Sequence, residues 1–141
     1  MKKILLLIVP ILLGVAAKAQ TAGTITIVND EHCAISVTQL CYDASSCAIT
    51  ATGNSTIVAA GSTATLTTKN CSPDLTAYRV CWATSSCSVL GSWTIVNGSI
   101  SSSTTPCYPN PAILNDCSGC AASTTGAKIS FDYSIKTLTA K

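Results

Sequence analysis

Nine cysteines, at positions 33, 41, 47, 71, 81, 87, 107, 117 and 120, constrain this chain more than any other feature. All of them follow a stretch with the form of an export signal: Met1-Lys2-Lys3, an apolar run from Ile4 to Ala17, and Ala17-Lys18-Ala19. A basic start, an apolar middle and small terminal residues are what a signal peptidase reads, so a signal peptide over 1–19 is expected, cut after Ala19. Its compact, lysine-led form leads us to expect a bacterial source. Gln20 rather than cysteine follows the cut, which argues against a lipoprotein. The apolar run is short and broken by Pro10 and Gly14, and no later segment approaches the roughly 20 apolar residues of a membrane span. The expectation is a chain secreted, held at the cell surface or retained in a periplasm, where thiols oxidise. Cys33, Cys41, Cys47, Cys71, Cys81, Cys87, Cys107, Cys117 and Cys120 are all disulfide candidates, with one left over. Nine cysteines with one unpaired admit about 945 arrangements, and spacing selects none of them.

Removing 1–19 also removes three lysines, leaving five cationic side chains against six carboxylates, a net charge of about −1. That excludes the concentrated basic face of a nucleic-acid binder, and there is no basic amphipathic helix to lie on a membrane. The remaining 122 residues suit one domain, 20–141, with a real core. Serine and threonine supply 38 of them, a disorder-like richness. Regularly placed Ile, Val, Leu and aromatic residues run through it, however, so burial offsets chain entropy and the hydroxyls belong on a folded surface.

Alternation with a period of two dominates the pattern. Strands are predicted over 24–28, 34–40, 47–52, 56–59, 62–68, 75–83, 87–90 and 93–100, separated by Asn29-Asp30-Glu31-His32, Gly53-Asn54, Ala60-Gly61 and Gly91-Ser92. Over 75–83, Tyr78, Val80 and Trp82 fall on one face and Ala77, Arg79 and Cys81 on the other. The clearest strand is 128–136, with Ile129, Phe131, Tyr133 and Ile135 facing inward. No stretch has sustained helical spacing; Ala112-Ile113-Leu114 allows one short helical turn at most. Eight or nine short antiparallel strands predict an all-β fold, a single disulfide-stabilised β-sandwich or barrel. Residues 101–127, with three cysteines and no convincing strand, read as a long loop tied down by its disulfides, or else as a binding loop.

Within this pattern one motif occurs twice: CYDASSC at 41–47 and CWATSSC at 81–87 share cysteine, aromatic, two variable residues, Ser-Ser and cysteine. As hairpins, each would set its two cysteines face to face, a staple of about 2.4 kcal/mol on the chain-entropy model. Five intervening residues argue against redox chemistry, which normally has two. Cys117-Ser118-Gly119-Cys120 has that spacing but lacks the strand-to-helix setting that lowers a thiol pKa, so structural disulfides are expected there. Loop-tip recognition by Tyr42 or Trp82, with Tyr108 as a further ring beside hydroxyls and amides, gives the candidate ligand-binding set of Tyr42, Trp82 and Tyr108. Trp93 is expected in the core.

Catalytic residues are not proposed. His32 and Glu31 are the sole histidine and glutamate, and neither a Gly-x-Ser-x-Gly elbow nor a His-Glu-x-x-His segment occurs. Asp43, Asp74, Asp116 and Asp132 leave open a hydrolase assembled from distant loops. Adjacent polar residues at 29–32 point in different directions and make a turn rather than a metal site, so no metal or cofactor is expected. The sequons at Asn54 and Asn97 matter only in a eukaryotic secretory route. TIVNDEHCAISV, residues 26–37, resembles the opening strands of thaumatin-like proteins; the later cysteine pattern does not follow theirs, and nothing further is implied. The sequence therefore predicts a non-catalytic structural or adhesive module whose partner is a second copy of itself, a cell surface or a glycan, and not nucleic acid. The alternatives are a carbohydrate-binding domain and the dispersed-aspartate hydrolase.

Overall fold

The structure, a computed structural model, describes residues 22–72, 74–84, 93–99 and 107–141. Among the described residues it is all-β, with nine strands: β1 (Gly23–Asn29), β2 (Ile35–Tyr42), β3 (Ile49–Val58), β4 (Ser62–Thr68), β5 (Leu75–Trp82), β6 (Trp93–Asn97), β7 (Ala112–Leu114), β8 (Ala127–Asp132) and β9 (Thr137–Ala140). They form two sheets, β4-β1-β9-β8-β7 and β3-β2-β5-β6, so the architecture is a sandwich. The predicted signal peptide, the 87–90 strand, Cys87 and the 101–106 part of the long loop lie outside the described residues.

Alternation built the core. Ile25 and Ile27 of β1, Leu138 of β9, Ile129 and Phe131 of β8 and Leu114 of β7 meet Ile35, Val37, Tyr78, Val80, Trp82 and Val96 from the facing sheet. Tyr78, Val80 and Trp82 do share the inner face. Opposite them, Leu40, Tyr42, Leu75, Ala77 and Ile95 form a second cluster on the outer face of the four-stranded sheet, with Cys107 and Tyr108 packed over it. A period of two requires an apolar outer row to be covered by something, and here the 107–110 segment covers it. Asn97 N–H donates to Pro109 O at 2.8 Å and holds that segment in place.

Several expectations are corrected. The heptapeptide hairpin staple does not form, because the ladder sets Ala51 and Thr76, not Cys47, opposite Cys41. Cys47 lies in the turn beyond, its N–H bonded to Asp43 O at 2.9 Å. The bonds are Cys33–Cys120, Cys41–Cys71 and Cys47–Cys107, spanning 87, 30 and 60 residues. On the chain-entropy model each, taken singly, contributes about 3.5 to 4.5 kcal/mol, more than the local staple would have. Cys117 is also disulfide-bonded. Among the eight described cysteines Cys81 alone is a thiol. The 107–127 part of the long loop is thus tied down by its cysteines.

Gly53-Asn54 is not a turn. β3 runs straight through it with a bulge, where Thr38 pairs with Ser55 and Leu40 with Thr52. Gly53 is required there because a Cβ would come within 3.0 Å of Gln39 Cβ. Ala112-Ile113-Leu114 is a strand, not a helical turn, since it pairs antiparallel with Leu114↔Ala127 and Ala112↔Ile129. The predicted 128–136 strand breaks after Asp132, whose carboxylate accepts Ser134 N–H at 2.9 Å and closes a turn over 133–136. Ile135 is exposed at that turn, and β9 returns beside β8. β9 also lies parallel to β1, so one strand pair departs from the antiparallel expectation. Trp93, expected in the core, is instead 57 % exposed, while Trp82 is 1 % exposed. WTIV is apolar on both faces, and pairing with Cys81 turns Trp93 outward.

Candidate functional site

The three rings predicted to bind a ligand fall in two places. Tyr42 and Tyr108 meet edge to face, centroids 5.0 Å apart at 83°. Tyr42 is fully buried, and its hydroxyl donates to Asn97 Oδ1 at 3.0 Å. Burial, aided by Tyr108, pushes the Tyr42 phenol above its ordinary pKa. The Tyr108 hydroxyl donates to Cys47 O at 3.0 Å, closing the loop over this cluster. Trp82 lies in the inner core with its indole N–H on Asn115 O at 2.8 Å. Tyr42 and Trp82 are enclosed by the protein's own packing.

Three open surface features stand out among the described residues. The first is the uncovered half of the outer face, where one cross-strand row runs Ile57, Ser36, Cys81, Trp93. Ile57 and Trp93 are exposed at its ends, with Arg79 exposed one row away. Cys81 is half-buried, its Sγ 3.8 Å from Ser36 O.

The second is the flank where β3 and β4 lie. Each is the terminal strand of its sheet, and the two are joined by the turn at Ala59–Gly61, so both edges fall on one side of the sandwich. Neither ITATGNSTIV nor STATLTT contains a charged residue or a proline. Natural sheets usually blunt an edge with lysine, proline or a covering segment. The devices present here are the β3 bulges and one side-chain cap, Asn54 Nδ2 donating to Thr67 O at 2.9 Å. On the opposite flank β6 and β7 are only five and three residues long.

The third is a groove of about 570 Å³ beside the β8–β9 turn, lined by Asn110, Phe131, Asp132 and Tyr133 together with Ser99, Ser130 and Ser134. Asn110 is locked to the Phe131 backbone by two hydrogen bonds, Nδ2 to Phe131 O at 2.7 Å and Phe131 N–H to Oδ1 at 3.0 Å. Ser134 donates to Asp132 from both Oγ (2.7 Å) and N (2.9 Å), which holds the carboxyl below its usual range and ionised. Periodicity missed this groove, because 128–136 read as one strand and so no turn was expected at 133–136.

The four aspartates are each occupied locally. Asp43 accepts from the side chains and backbone of Ser45 and Ser46. Asp74 accepts from the Thr50 hydroxyl and Asp116 from Gly119 and Ala121. Asp43 and Asp74 flank the cross-strand pair Tyr42↔Leu75 and so share one end of the four-stranded sheet. At 29–32 Glu31 is buried, and one of its oxygens accepts from Ala122 N–H. Asn29 binds Cys33 O, Val58 O and Ala59 O at 2.9–3.1 Å. Among the described residues no group of three or more His, Cys, Asp or Glu side chains could hold a metal ion, and no helix is long and apolar enough to cross a membrane. Comparison with family models, with curated proteins and with solved structures finds nothing that matches this chain.

Proposed function

We propose that this protein is an exported, non-catalytic structural module that assembles side by side with further copies of itself. The observation that carries this reading is the β3–β4 flank: two adjacent terminal strands, 10 and 7 residues long, without charge or proline. An edge of this kind presents unpaired backbone donors and acceptors to any chain that comes alongside. A second copy fits because antiparallel edge-to-edge pairing about a two-fold axis is self-complementary, and a net charge near −1 over 20–141 opposes approach only weakly. The exposed row ending in Ile57 continues the flank with apolar surface. Export is supported by the disulfides, which accord with an oxidising compartment.

Sedimentation velocity over a concentration series tests this reading. The wild-type protein is expected to self-associate, and the double variant Ile57→Lys/Thr65→Lys, both positions being exposed, to remain monomeric with an unchanged circular dichroism spectrum. A wild-type protein that stays monomeric at its highest soluble concentration removes the reading. Intact mass of the secreted product, expected to begin at Gln20, tests the export signal.

A further inference from the structure

We propose that the groove beside the β8–β9 turn binds a neutral sugar residue. This goes beyond the assembly reading and is independent of it: the groove is lined from β8, the 133–134 turn, Ser99 and Asn110, while assembly uses the flank formed by the terminal strands β3 and β4 of the two sheets.

The lining chemistry selects the ligand class. No cationic side chain is among the described lining residues, so an anionic ligand would meet the ionised Asp132 with nothing there to offset the repulsion. A purely apolar ligand would strip water from Asp132, Ser130 and Ser134 without replacing its hydrogen bonds. Among the described residues a metal ion would find one carboxylate there and no cluster of ligating side chains. An uncharged molecule that carries both hydroxyls and C–H faces satisfies all three conditions. Its hydroxyls donate to Asp132 and exchange bonds with the Ser130 hydroxyl, and its apolar face lies against Tyr133.

The ring is supported for that role. Tyr133 is half-buried, packs edge-on to Phe131, centroids 6.5 Å apart at 77°, and lines the groove. An aromatic body with a polar tip suits a ligand that is apolar on one side and wet on the other. The walls are set before any ligand arrives. Asn110 is pinned to the Phe131 backbone, Ser134 to Asp132, and the Ser99 hydroxyl donates to Thr76 O at 3.0 Å. Fixed polar groups spare a ligand the cost of ordering them. The volume is within the range of small-molecule sites, about 300–1,000 Å³.

The test is titration of the isotopically labelled wild-type protein, followed by amide chemical shifts, with three probes: methyl β-glucopyranoside, cellohexaose and chitohexaose. A heparin hexasaccharide serves as the anionic control. Shifts are expected at residues 130–134 and at Asn110 with at least one neutral probe. Tighter binding of a hexasaccharide identifies a glycan chain as the source of the sugar, and equal binding of the monosaccharide identifies free sugar. Tyr133→Ala and the near-isosteric Asp132→Asn are each expected to weaken binding about tenfold, the loss of one ring contact or one charge-assisted hydrogen bond. Trp93→Ala, outside the groove, leaves it unchanged. Absence of shifts with all three neutral probes, preference for the heparin control, or full binding by both groove variants overturns the proposal. Since Ile57→Lys/Thr65→Lys leaves the groove intact, loss of assembly and loss of sugar binding are separately readable.

Discussion

Asp43 shows how much one side chain can organise. It is exposed, yet hydrogen bonds from Ser45 and Ser46 bring its carboxyl down to about 2. The folded state thus binds fewer protons than the unfolded chain between the ordinary aspartate value and about 2, and its contribution to stability is complete above that window and lost as pH falls through it. Carboxyl carbon shifts over a pH series should show this titration, and Ser45→Ala/Ser46→Ala should return it towards 3.8. Gly53 carries a packing constraint instead. Its neighbour Gln39 is fully buried, with Nε2 on Lys69 O at 2.8 Å and Oε1 accepting Lys69 N–H at 2.7 Å, so it links β2 to the segment before β5. Gly53→Ala drives a methyl group into that amide and is expected to cost about 1–3 kcal/mol in denaturant unfolding. An unchanged midpoint would show that Gln39 yields. The sequence marked Gly53 as special but assigned it to a turn, because a bulge and a turn favour the same residue.

At the scale of elements, the outer cluster depends on a covalent tie. Cys47–Cys107 holds the 107–110 segment over Leu40, Tyr42 and Leu75, joining residues 60 apart. Replacing both cysteines by serine is expected to lower stability by about 4 kcal/mol and to expose the Tyr42 ring, read as increased dye binding and a shifted tyrosine fluorescence. Retained stability would mean that hydrogen bonds such as Tyr108 hydroxyl to Cys47 O hold the segment unaided. Strand type was legible wherever one face is polar, as in β1, β4 and β8. Strand ends were not, because a turn closed by Asp132 leaves the alternation of 128–136 undisturbed while reversing the chain.

Across the whole molecule, disulfide bonds pin segments at both ends of β2 while the β3–β4 flank stands open, and self-association is the consequence tested above. The thiol inventory gives a second check. Alkylation of the unreduced, folded protein followed by peptide mapping should label Cys81 and none of Cys33, Cys41, Cys47, Cys71, Cys107, Cys117 and Cys120. Label at any of these seven would contradict the pairing. Cys81 lies on the same outer row as Trp93 and Ile57, so the order of its labelling also reports whether assembly covers that face.

By itself the sequence determined that the chain is all-β and cross-linked, because alternation is a local property of three or four neighbours and cysteine is legible one residue at a time. Only tertiary structure decided which sulfurs meet, which tryptophan is buried and where a groove opens. Those outcomes depend on register and on the order of strands in each sheet: a partner 30 to 87 residues away sets the distance between two sulfurs, and pairing with Cys81 sends Trp93 outward.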